Sequence, residues 1–201
     1  MSLDEIMNRV AADKGSNAHN YAVHYERHFD APIRERGGTL VEIGICGGYS
    51  LRAWREWAPN ARIIGVDTEA RFVQAAAAEG AEAYHGDGTK HPFWNMLHDK
   101  GVDPDVVVDD GSHFANQQKA AFDLVFPRLK SGAIYAIEDL HATYWPEPYH
   151  RIGGGSVMPF LMSLVDRLNN HGSVNPKGHA VANAMIKAVH FYTSVVFIEK
   201  V

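Results

Sequence analysis

Five short apolar runs in this chain end in glycine or acid: Gly44-Ile45-Cys46-Gly47-Gly48, Val66-Asp67, Gly86-Asp87-Gly88, Val108-Asp109-Asp110 and Ile137-Glu138-Asp139. A carboxylate can accept hydrogen bonds from sugar hydroxyls, hold a hard cation or move a proton. Glycine lets the backbone come close to a ligand. Singly, each acid reads as well as a helix cap. Five such ends together point to one functional edge, provided the runs are parallel strands whose carboxyl ends line up.

The rest of the chain supplies those strands. Short β-branched or apolar runs alternate with helical patterns, as in an α/β protein with a parallel sheet. Strands are predicted at 39–44, 62–67, 81–84, 105–109 and 133–137. The helices between them run through Leu51, Trp54 and Trp57, over 71–79, around 93–97, and from near His113 to Phe126. A helix is predicted over 159–168, then two strands, 186–192 and 195–199, joined so tightly that they must pair antiparallel. The expected fold is a mostly parallel seven-stranded sheet with helices on both faces and an antiparallel final strand. Residues 1–36, rich in His and Tyr, are expected to form a helical cap over the sheet edge, and 37–201 the main domain.

Composition narrows the classes of function. The 201 residues are 46% hydrophobic and 21% charged, ordinary figures for a soluble globular chain. A net charge of −5 gives no global basic field for nucleic acid or an anionic membrane. A single cysteine, Cys46, excludes an intrachain disulfide and fits a reducing compartment. No apolar run approaches the roughly 20 residues of a membrane helix, and the acidic start lacks a signal pattern. The cytoplasm is the expected location, and base rate favours a homo-oligomer.

The glycine loop after the first strand opens a helix, and Asp67 ends the next strand about 20 residues on, where a carboxylate accepts ribose hydroxyls. Gly44 and Gly48 would let the backbone approach an adenosine cofactor, either NAD or S-adenosylmethionine. None of the eight tyrosines has a lysine four residues later, which disfavours a short-chain dehydrogenase. Asp87 fits a contact to the adenine amine, Asp109 lies on the same edge, and Glu42 inside the first strand is typical of methyltransferases.

Several segments carry a more specific likeness. They are Asp13-Lys14-Gly15 with Tyr21 and His24–Phe29, Val41-Glu42-Ile43-Gly44, Asp109-Asp110-Gly111-Ser112-His113, Glu138-Asp139-Leu140 with Tyr144-Trp145-Pro146, and His190-Phe191-Tyr192 with Phe197–Lys200. In this order they resemble Rossmann-like class I S-adenosylmethionine-dependent methyltransferases. The branch is that of the metal-dependent macrolide and sugar O-methyltransferases (mycinamicin and macrocin enzymes), with cephalosporin-pathway methyltransferases more distant. The resemblance implies Asp110, Glu138 and Asp139 as ligands of Mg²⁺ or Mn²⁺ and His113 as general base. His141, Tyr144 and Trp145 are the candidates for the substrate side, the substrate being a small hydroxylated natural product. Cys46 departs from the three-glycine loop. The best-known macrolide members carry a further N-terminal domain, so their oligomeric arrangement does not transfer.

The chemistry is coherent on its own terms. Three carboxylates with no cation near them in sequence would repel in one cleft unless a cation sat between them. All-oxygen ligation suits Mg²⁺ or Mn²⁺ better than zinc. His113 follows Asp110 by three residues, about one helical turn, so both could face one ligand. The competing readings are a cofactor-binding protein without chemistry, an NAD-dependent oxidoreductase and a metal-dependent hydrolase.

Overall fold

A computed structural model describes residues 1–146, 153–169 and 185–201. The strands are β1 (Thr39–Ile43), β2 (Arg62–Asp67), β3 (Glu82–His85), β4 (Val106–Asp109), β5 (Ile134–Ile137), β6 (Ile186–Tyr192) and β7 (Val195–Lys200). They form one sheet in the order β3-β2-β1-β4-β5-β7-β6. The first five are parallel, and β7 runs antiparallel to both β5 and β6. The expected fold class is the one observed.

Strand alternation divides the core in two. Leu40, Val106, Val108, Ile134, Ala136 and Phe197 face one side, while Val41, Ile43, Val107, Tyr135, Ile137 and Ile198 face the other. Both parities are apolar because both faces of a parallel sheet are covered. The helices α1 (Leu3–Arg9), α2 (Ala22–Phe29), α3 (Tyr49–Trp57) and α4 (Ala70–Ala78) cover the first face. The second lies under α5 (His91–Asp99), α6 (Ala115–Val125) and α7 (Met158–Asn169).

Two expectations need correction. The N-terminal helices do not cap the sheet edge. They lie on its face, where Leu3, Ile6, Met7, Tyr25 and Phe29 are buried with Trp54 and Phe197. The first turn of α1 is fixed by a reciprocal cap between Ser2 and Glu5, and its apolar side is then free to dock. Helix α6 runs from near His113 as expected, but it begins at Ala115, so His113 does not share a helical turn with Asp110. His113 has φ +59, a left-handed conformation that a right-handed helix cannot absorb.

Register places the acids. Ile43 pairs with both Val66 and Asp109, Asp109 with Ile137, and Asp67 with His85. The carboxyl ends of β1 to β5 therefore share one edge. Among the described residues no helix is long and apolar enough to cross a membrane.

Candidate active site

A cavity of about 210 Å³ opens at that edge, with Gly44, Asp67, Asp87, Asp109, Gly111 and Gln118 in its walls. Asp67 holds the glycine loop. One of its oxygens accepts the Ile45 and Cys46 amides (3.0 and 3.2 Å), the other the Glu69 amide (2.8 Å). Asp87 accepts the Thr89 amide and hydroxyl. Asp109 accepts the Tyr135 hydroxyl at 3.0 Å, and burial pushes its carboxyl up to about 7.

Gly44, besides lining the cavity, is required by its own backbone. Its φ is +84, and a β-carbon there would stand 2.1 Å from the Asp110 carbonyl oxygen. The loops after β1 and β4 thus touch backbone to backbone. Gly48 supplies a left-handed N-cap for α3 and does not line the cavity.

Glu42 is also absent from the cavity wall. Strand alternation turns it to the same face as the N-terminal helices, where it is 0% exposed and accepts the Ser50 hydroxyl at 2.8 Å. Burial pushes its carboxyl up to about 7 despite the pull of Lys14. Its other oxygen, Oε1, accepts no hydrogen bond among the described residues and lies 3.5 Å from Lys14 Nζ.

The expected metal ligands converge, but they divide into two sets. Asp110, His113 and Asp139 each bring one ligand atom within 4.8 Å of the others, and so do Glu42, Asp110 and Glu138. The second set already surrounds a cation. Lys14 Nζ lies 2.5 Å from Asp110, 3.0 Å from Glu138 and 3.5 Å from Glu42. Burial alone would lower this lysine, but the surrounding carboxylates outweigh it and hold the ammonium charged, well above the ordinary range. The countercharge that the acids lacked in local sequence comes from 96 residues away. Glu138 also accepts the Tyr25 hydroxyl, and burial with Asp110 nearby pushes its carboxyl well up. Asp139 accepts the Tyr21 hydroxyl at 2.7 Å. Lys14 and Tyr21 stood in the segments that carried the resemblance, and Tyr25 fell within 24–29, but residue type alone gave them no role.

His113 Nε2 faces Asp139 Oδ2 at 3.5 Å, and its Nδ1 is enclosed with no partner among the described residues. Its left-handed backbone is shared by Cys46 (φ +42) and Asp139 (φ +56), all three in loops following strands of the cavity edge. Non-glycine residues held there cost about 1–3 kcal/mol each, and such strain collects at functional sites.

On the proposed substrate side, His141 Nδ1 lies 2.5 Å from the Ser194 hydroxyl and the ring meets Trp145 edge-on. Tyr144 is 76% exposed and, like Trp145, stands outside the cavity wall.

This cleft can hold an adenosine-like ligand in the cavity and, one strand end further, present oxygen ligands and an imidazole. Residues 41–140 match the methyltransferase domain family. A 2'-O-methyltransferase of 8-demethyl-8-alpha-L-rhamnosyl tetracenomycin-C from Streptomyces olivaceus is 32% identical over 90% of this chain and 50% of its own length. Residues 41–140 are thus a methyltransferase domain. Mycinamicin VI 2''-O-methyltransferase from Micromonospora griseorubida is 28% identical over 98% of this chain and 52% of its own. Among solved structures, the MycE methyltransferase of the mycinamycin pathway, in complex with Mg and SAH, superposes with a TM-score of 0.83. It is 27% identical and is matched over 100% of this chain and 54% of that one. The chain spans about half the length of the curated relatives it matches. The family expectation drawn from the Asp-Asp-Gly-Ser-His and Glu-Asp-Leu segments is therefore met.

Proposed function

We propose that the chain is an S-adenosylmethionine- and Mg²⁺-dependent O-methyltransferase acting on a hydroxyl of a small natural product, on its sugar moiety. Residues 37–201 form the methyl-transfer unit, and 1–36 a helical layer packed on one face of its sheet. The observation that carries this reading is the junction at Asp109-Asp110: Asp109 lines the cavity, and the next residue belongs to the Asp110–His113–Asp139 cluster. Cofactor and acceptor would meet there. The relatives named above as acting on sugar hydroxyls, and the Mg and SAH of the MycE complex, support the substrate class and cofactors.

The donor set fits a hard divalent ion. Asp110 and Asp139 offer carboxylate oxygens on one side of an open cluster, and such few-ligand sites leave positions for water and substrate. Glu138, the third ligand in the family pattern, is held by Lys14 and Tyr25 in this structure. When bound, the ion lowers the pKa of an alcohol placed against it. The chain's own part is then positional. His113, fixed beside Asp139, accepts the hydroxyl proton. Asp67, Asp87 and Asp109 hold the nucleoside end so that the methyl group lies in line with the acceptor oxygen.

The test is calorimetric titration with S-adenosylhomocysteine, with and without Mg²⁺, followed by mass spectrometry with glycosylated polyketides, flavonoids and free sugars. No binding by folded protein overturns the reading. Asp67→Asn should weaken cofactor binding by about 1.5–3 kcal/mol, the range for a hydrogen bond to a charged group. It also loosens the Ile45 and Cys46 amides. Mg²⁺ affinity should stay at the wild-type value, so equal loss of both ligands in the calorimeter would mean collapse of the loop instead.

A further inference from the structure

The N-terminal segment reaches each of the three acids at the ends of β4 and β5. Lys14 holds Asp110 and Glu138, Tyr25 holds Glu138, and Tyr21 holds Asp139. The lysine is built into place. It is 1% exposed, and its carbonyl oxygen accepts the Tyr21 and Ala22 amides at 2.8 and 2.9 Å, which ties it to the start of α2. An ammonium buried this deeply is stable only with its acids in contact. The acids in turn would repel one another without it. Asp110 belongs both to this group and to the open cluster with His113 and Asp139. A divalent ion on Asp110 therefore lies next to a fixed positive charge.

We propose that Lys14 is a positioning residue, the resident cation of the carboxylate cluster, which orders Asp110 and Glu138 before metal arrives and sets how weakly a divalent ion is held. This rests on the metal-dependent reading above. Two positive charges sharing one carboxylate repel, so the lysine lowers metal affinity while it preserves ligand geometry. Removing the charge and keeping the side-chain length should have the opposite effect. A role confined to packing would not depend on the sign of the charge.

The experiment is a Mn²⁺ titration of the cofactor-free full chain, with free Mn²⁺ read by electron paramagnetic resonance. Lys14→Met should bind Mn²⁺ about tenfold more tightly, or better, and its melting temperature should rise more on adding metal than that of wild type. Lys14→Gln covers the case in which the Met variant does not fold, with the same tightening expected. Lys14→Arg keeps the charge and should stay within about threefold of wild type. Equal or weaker Mn²⁺ binding by the neutral variants overturns the inference and leaves the metal-dependent reading intact. A wild-type chain that takes up no Mn²⁺, even with S-adenosylhomocysteine present, overturns both.

Discussion

His113→Gln is expected to lose about 10²–10⁴-fold in turnover, the range for a positioned acid–base group, while still binding cofactor and metal. Glutamine has similar reach and stays polar, but it cannot take up a proton. The substitution therefore removes the chemistry and leaves the contact with Asp139. Both residues face the same left-handed backbone at this position (φ +59), so the strain is not relieved by the exchange. Circular dichroism and cofactor titration would confirm an intact fold. Wild-type turnover by the Gln variant would place the base elsewhere. His141, whose Nδ1 is 3.9 Å from Asp139, is then the next candidate.

Asp139→Asn should abolish turnover and leave cofactor binding near the wild-type value. Asparagine is among the few residues at ease in a left-handed conformation, so the backbone at φ +56 is preserved. Its amide oxygen can still accept the Tyr21 hydroxyl. What is lost is a carboxylate beside Asp110 and His113, and with it the charge that draws a divalent ion. Excess EDTA should reproduce the defect in wild type, and added Mg²⁺ should reverse it there but not in the variant. Full wild-type turnover in EDTA would remove metal from the mechanism.

The sheet was legible because its signals are local. Runs such as Val106-Val107-Val108 fit buried parallel strands, and parallel strands put Asp67, Asp109 and Glu138 along one edge whatever the loops do. Three features were not legible, for three physical reasons. Lys14 drew no role from its residue type because its partners lie 96 and 124 residues downstream. His113 looked like the first turn of a helix because spacing carries no information about the sign of φ. Glu42 looked like part of the cofactor loop, yet one residue of strand alternation separates it from Ile43, which lines the cavity. Only knowledge of which parity faces the N-terminal helices would have settled that.

The span between Lys14 and Glu138 and between Tyr21 and Asp139 also bears on how the protein folds. Closing such long loops is slow and entropically costly. The acids at the ends of β4 and β5 should thus spend most of the folding reaction in water, with their cation docking only after the sheet exists. Late contacts govern unfolding more than folding. Lys14→Gln should therefore steepen the loss of native protein by raising the unfolding rate, with refolding close to wild type. Stopped-flow arms shifted equally in both directions would mean that the N-terminal segment docks before the sheet is complete. On this ordering, the groups that give the cleft its charge balance are the last to arrive and the first to leave.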